Sequence, residues 1–259
     1  MKLKNLNVIQ IFYCFSLYIS LREILYSWSD NYIFNDYVEP IWVISILNGL
    51  GLKYFFGISL LLQPLSAALS LCFLNKRWPR VIFALSFFIN LALHLSDGRE
   101  DIGFHLWLWV SIYFSLMPLT NKEEENEVIK GARFIISLPY FFSGIQKVFT
   151  GAFLNFDTFP QQMLGRAVKG YSLHPVGWSL LEIPVILGLL YFLGALFQSL
   201  QIFILLKPRL SFYHGLGLFL FHILTFVTLD ILFPDFIWLI LVFFIFPFLL
   251  SRDEQKYAT

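Results

Sequence analysis

Charge is scarce in this chain. Only 14% of its 259 residues are Asp, Glu, Lys or Arg, against 58% hydrophobic. A water-soluble domain of that length needs far more polar surface to cover its core. The formal net charge is +1, and the sequence holds no basic tract, which excludes an electrostatic nucleic-acid interface. Cysteine is almost absent as well. Cys14 and Cys72 both fall inside apolar runs, where they read as small core residues rather than a disulfide. Two thiols alone make no metal site. No HxxxH or HxxE pair sets two ligands on one helical face, and there is no serine-nucleophile elbow, phosphate-binding glycine loop or CxxC. No metal is expected.

What is present is apolar length. Several runs approach 20 residues, enough to cross a hydrocarbon layer of roughly 30 Å as helices. The expected fold is all-α, a polytopic helical membrane bundle forming a single domain over 1–259. Eight transmembrane spans are predicted at about 6–26, 54–74, 80–95, 104–119, 133–149, 183–206, 214–232 and 236–251. The start "MKLKNLNVIQIFYCF" has a basic n-region, but its apolar run continues into Arg22 and Glu23 with no small-residue cleavage pattern. It is read as a retained first helix.

Basic residues give the orientation. With the N-terminus inside, the inner segments hold Lys2, Lys4, Lys76, Arg77, Arg80, Lys122, Lys130, Arg133, Lys207, Arg209, Arg252 and Lys256. The outer segments hold only Lys53, Arg99, Arg166 and Lys169. This alternation places both termini in the cytoplasm. The stretch "TNKEEENEVIKGAR" (120–133) reads as a charged inner loop. The outer loop, about 150–182, mixes aromatic and polar residues around Pro160 and Pro175, and an interfacial helix is expected at about 159–169.

Against this apolar background the ionisable residues stand out. Lys147 ends the aromatic run "LPYFFSGIQKVF" (138–149), near the outer end of the fifth span. One reading is snorkelling to the headgroups. The other is a site: desolvated among Phe141, Phe142 and Phe149, the side chain favours its neutral amine, a base. His94 ends the third span and His105 opens the fourth at the same level. Arg22 and Glu23 close the first span, His222 lies near the middle of the seventh, and Asp230 near its outer end. His174 falls in the outer loop, and His214 is the exception at the inner side. A single intramembrane histidine reads as a packing residue; several ionisable groups at one depth read as an acid–base site. Gly144, three residues before Lys147, gives either close helix packing or close approach of a flat ligand.

Three motifs bring a resemblance. "PYFFSGIQKVF" resembles the YFxxGxxK segment of the vitamin K-dependent gamma-carboxylases and of their bacterial relatives, the horizontally transferred transmembrane (HTTM) domain proteins. "FHLWLWVSIYFSLMPL" is similar to their next-upstream span, and "HGLGLFLFHILTFVTLDILFPDFIWL" to a later one. The motifs stand in the family's order over about residues 100–240. The resemblance implies that Lys147 is the base that deprotonates a reduced quinone, with His105 and His222 as its catalytic partners. Phe142, Gly144 and His94 are then candidates for holding the quinone. Departures are Phe104 where the carboxylases have asparagine before the histidine, no tryptophan in "VFTGAFLNF", and Gln146 before the lysine. The carboxylases also continue into a large extramembrane domain, whereas this sequence reaches Thr259 after a short polar tail.

The resemblance therefore implies a multi-pass protein of a bacterial inner (cytoplasmic) membrane acting on a quinone-like molecule that enters from the lipid bilayer. The implied reaction is hydroquinone oxygenation to an epoxide, which the carboxylases couple to carboxylation. The implied cofactor is a reduced, vitamin K-like quinone. A second reading is a non-enzymatic membrane subunit for transport, assembly or partner binding, whose exposed aromatic surface suits a protein partner or a homo-oligomer.

Overall fold

The computed structural model describes residues 7–29, 52–96, 102–149, 158–169, 173–205, 210–231 and 233–249. Every regular element among them is helical. In chain order these are α1 (Val8–Ser29), α2 (Leu52–Cys72), α3 (Arg77–Ser96), α4 (Ile102–Leu116), α5 (Lys122–Phe149), α6 (Thr158–Val168), α7 (Pro175–Leu181), α8 (Pro184–Ser199), α9 (Gln201–Leu205), α10 (Ser211–Leu229) and α11 (Pro234–Ile240). The last runs into a π-helical turn, Leu241–Ile245. The chain divides into two compact units, Met1–Ala132 and Arg133–Thr259.

Each predicted span contains a helix, although not every one of these helices is by itself long and apolar enough to cross a membrane. By length and hydropathy, Val8–Leu25, Glu123–Phe149 and Ser211–Leu229 can cross a membrane. Pro175–Leu181 with Pro184–Ser199, bent by 110°, makes a fourth if the pair is one span. Gly57–Cys72, Phe104–Leu116 and Pro234–Leu249 are apolar but shorter. Among the described residues the protein is thus all-helical, with three or four candidate membrane spans.

The stretch 120–133, expected as an inner loop, is mostly helix, because a cap at its start nucleates α5. The Glu124 backbone N–H donates to Asn121 Oδ1 at 2.9 Å, and the Glu124 carboxylate accepts from the Thr120 N–H at 2.8 Å. With Glu123, Glu124 and Glu125 in the first turn, the local chemistry favours an N-terminus there.

In the first unit, α1–α4 pack through an aromatic core. The rings of Phe12 and Trp107 stack at 5.0 Å, and Tyr13 meets Phe83 edge-on at 5.7 Å. Polar side chains tie helices together inside it. Trp107 Nε1 donates to Ser16 Oγ at 3.0 Å, and Asn90 joins Ser59 to Gln63. Arg80, fully buried, donates Nη1 to the carbonyls of Phe114 at 2.5 Å and Met117 at 3.0 Å. Its guanidinium thereby caps the carbonyl end of α4. Cys14 and Cys72, expected in the core, are exposed instead, as small apolar-face residues on α1 and at the end of α2.

In the second unit, Pro184 starts α8 after Ile183 leaves helical geometry at φ −126°; proline disfavours helix in the residue before it. Asp230 ends α10 in the left-handed region at φ 55°, which Asp tolerates better than most residues. The helix expected at about 159–169 is α6. Met163, fully buried, clusters with Leu173 and Leu187, and Phe159 and Ala167 pack against them. The rest of the expected outer loop at 150–157 and 170–172 lies outside the described residues. Arg133 Nε donates to the Phe243 carbonyl at 2.7 Å, satisfying a carbonyl in the π-helical turn, where the ladder is displaced.

Candidate functional site

The second unit contains a half-open cavity of about 680 Å³ lined by residues of α5, α6, α8 and α10. Its wall is mostly leucine and aromatic, with a few polar groups: Ser143, Gln146 and Lys147 from α5, Gln162 from α6, Thr225 and Thr228 from α10. Such a lining is typical of small-molecule sites, an apolar hollow with few convergent polar atoms. The two threonine hydroxyls donate to carbonyls of their own helix, Phe221 at 2.9 Å and Leu224 at 2.8 Å. Only their lone pairs remain for a ligand. Phe159 and Tyr191, both in the wall, stack with centroids 5.1 Å apart.

Lys147 is the cation in this wall. Its Nζ donates to Gln198 Oε1 at 2.6 Å and stands 5.4 Å from the Tyr191 ring centroid and 6.0 Å from that of Phe221. Aromatic faces at that range attract an ammonium. The expected surroundings differ. Phe142 is 61% exposed and Phe149 87% exposed, so neither desolvates the amine. They sit on the far side of α5, because the inward stripe of that helix runs through Tyr140, Gly144 and Lys147, at steps of four and three residues. Phe142 therefore does not line the cavity. Gly144 is buried against α8, where a Cβ would stand 2.7 Å from the Gln198 carbonyl carbon and closer still to the Ser199 nitrogen. Its role is helix packing, the first of the two readings of this glycine.

His222 is 4% exposed and paired with Tyr140, whose hydroxyl lies 2.5 Å from His222 Nε2. Phe221, Phe233 and Phe236 surround the imidazole at 5.5–5.7 Å, and Nδ1 has no hydrogen-bond partner among the described residues. The histidine is one residue from Phe221, which lines the cavity, but is not itself in the wall. His105 lies half-buried on α4, and His94 on α3; both belong to the first unit. The His94 side chain is outside the described residues. His174 caps α7, its Nδ1 accepting the Val176 N–H at 3.3 Å. His214 is buried 3.4 Å from Ser137 Oγ and packs on Phe244 at 5.3 Å.

Of the expected set, only Lys147 lines the cavity, and Gly144 lies one turn away on the same helix, packed against α8. Three residues that matter there escaped the sequence reading: Gln198, Tyr191 and Tyr140. Gln198 and Tyr191 sit in the apolar run 183–206 with no periodic signal of their own. Tyr140 had one, seven residues before Lys147 on the same face. Among the described residues no three His, Cys, Asp or Glu side chains gather in a metal-binding group. Comparison of the chain with protein-family models, curated proteins and solved structures finds no match.

Proposed function

We propose that this protein is an integral membrane enzyme of the HTTM type that takes a quinone-like hydrophobic molecule from the bilayer into the cavity of the second unit. Lys147 is the general base, and its neutral amine receives a hydroxyl proton of the hydroquinone. Eight spans with both termini in the cytoplasm complete the reading, supported by the alternation of basic residues along the sequence. The resulting anion is the species that oxygen attacks in the resembling carboxylases. The observation that carries the proposal is an apolar cavity with one lysine in its wall, flanked by Tyr191 and Phe221. Leu193 and Leu220, both wall residues, are 49% and 56% exposed, which supports lateral entry from lipid.

A second reading, a non-enzymatic subunit, draws on His222. Its ring is held by Tyr140 outside the cavity wall, so only one of the three expected catalytic residues meets a ligand there.

Binding is tested with 2-methyl-1,4-naphthoquinone and the full chain in lipid nanodiscs, read by tryptophan quenching. Saturable binding that Gly194→Phe removes is expected, because a ring at position 194 fills the cavity beside Phe221. Quenching that never saturates, or is equal in the variant, contradicts the site.

A further inference from the structure

We infer that Gln198 is a positioning residue for Lys147 and that Gly144 exists to bring it within reach. The inference rests on the reading of Lys147 as a base and names what aims it. The backbone of α8 passes so close to Gly144 that any side chain there would force it outward. One turn along α5 from this contact, Gln198 accepts the Lys147 Nζ hydrogen at 2.6 Å. Gln198 is 3% exposed and absent from the cavity wall, whereas Lys147 is part of it. The amide oxygen thus holds the amine from behind, with the cavity on the other side.

The choice of amide has a chemical reason. An unheld lysine spreads its amine over many rotamers on a four-carbon stem. A carboxylate in place of Gln198 would fix it but pair with the ammonium and oppose its loss of a proton. A neutral amide oxygen accepts one N–H from either protonation state. In the neutral amine, with that N–H committed, the lone pair points away from the amide. Gln198 therefore orients the base without adding a charge, and Gly144, the glycine of the YFxxGxxK-like segment, serves this contact rather than the ligand.

The test uses the full chain in nanodiscs, with two readouts. One is kcat for oxygen consumption with 2-methyl-1,4-naphthohydroquinone, and the other is Kd for the oxidised quinone by tryptophan quenching. Gln198→Met keeps the shape and removes the acceptor. It should lower kcat roughly tenfold to hundredfold, the scale of a misplaced reacting group, and leave Kd unchanged. Gly144→Ala should lose kcat similarly, and the double variant should be no worse than the single ones, since both break the same contact. If Gly144→Ala does not fold, Gln198→Asn, which keeps the amide but shortens its reach, should match Gln198→Met. Wild-type kcat in Gln198→Met, or equal loss of kcat and binding, overturns the positioning role and leaves Lys147 as the base. A wild-type protein that binds the quinone but consumes no oxygen overturns the base itself, and the positioning role with it.

Discussion

Tyr140 and His222 face each other across α5 and α10 at 2.5 Å, hydroxyl to Nε2, both buried among aromatic rings. Both residues are buried, so each supplies the hydrogen-bond partner of the other's polar atom. The pair holds α5 to α10 two turns from Lys147, and Phe221, which packs edge-on to Tyr140 at 6.4 Å, forms the cavity wall between them.

Tyr140→Phe should therefore destabilise the second unit by about 1 kcal/mol, since it strands His222 Nε2 in an apolar site. His222→Phe combined with Tyr140→Phe should recover part of the loss. Denaturation in detergent with a common unfolding probe measures both. A single variant as stable as wild type would show that the hydrogen bond contributes nothing.

Gly217→Ala should weaken naphthoquinone binding. A Cβ there would stand 2.5 Å from Phe197 Cζ, and Phe197 lines the cavity, so its ring must move and reshape the hollow. An increase in Kd of roughly tenfold is expected for a loss of about 1.4 kcal/mol. Equilibrium quenching titration reads it, and an unchanged Kd would mean that the ligand does not reach Phe197.

Much of this was legible in the sequence. Apolar run lengths locate a helix in each predicted span, and the aromatic and polar mix around Pro160 marks α6, while α7 falls inside the stretch read as outer loop. Lys147 stood out because an ionisable group in such a run needs a reason. What the sequence hid was pairing. Gln198 is 51 residues from Lys147 and Tyr140 is 82 from His222, and no local periodicity encodes which helices meet. The charged stretch 120–133 was misread as a loop because its composition outweighed the Asn121 cap. Phe142 and Phe149 were placed around Lys147 by nearness in sequence, where helical phase sends them to the opposite face.

Arg80→Leu should destabilise the first unit by about 2 kcal/mol, because carbonyls of Phe114 and Met117 lose a charged donor. Hydrogen exchange of α4 by mass spectrometry checks this. Increased exchange at the end of α4 is expected, and unchanged exchange would show that Arg80 is dispensable as a cap.

The proposed orientation predicts that reporter fusions at both ends are active in the cytoplasm and silent outside it. A reporter active outside at either end would contradict an even number of spans with cytoplasmic termini.

Whether Lys147 is a base in a quinone site is decided by oxygen consumption of the purified protein with 2-methyl-1,4-naphthohydroquinone. Wild type should consume oxygen, and Lys147→Met should abolish that while quinone binding and folding persist. Equal consumption by the variant would contradict it and return Lys147 to a packing and snorkelling role.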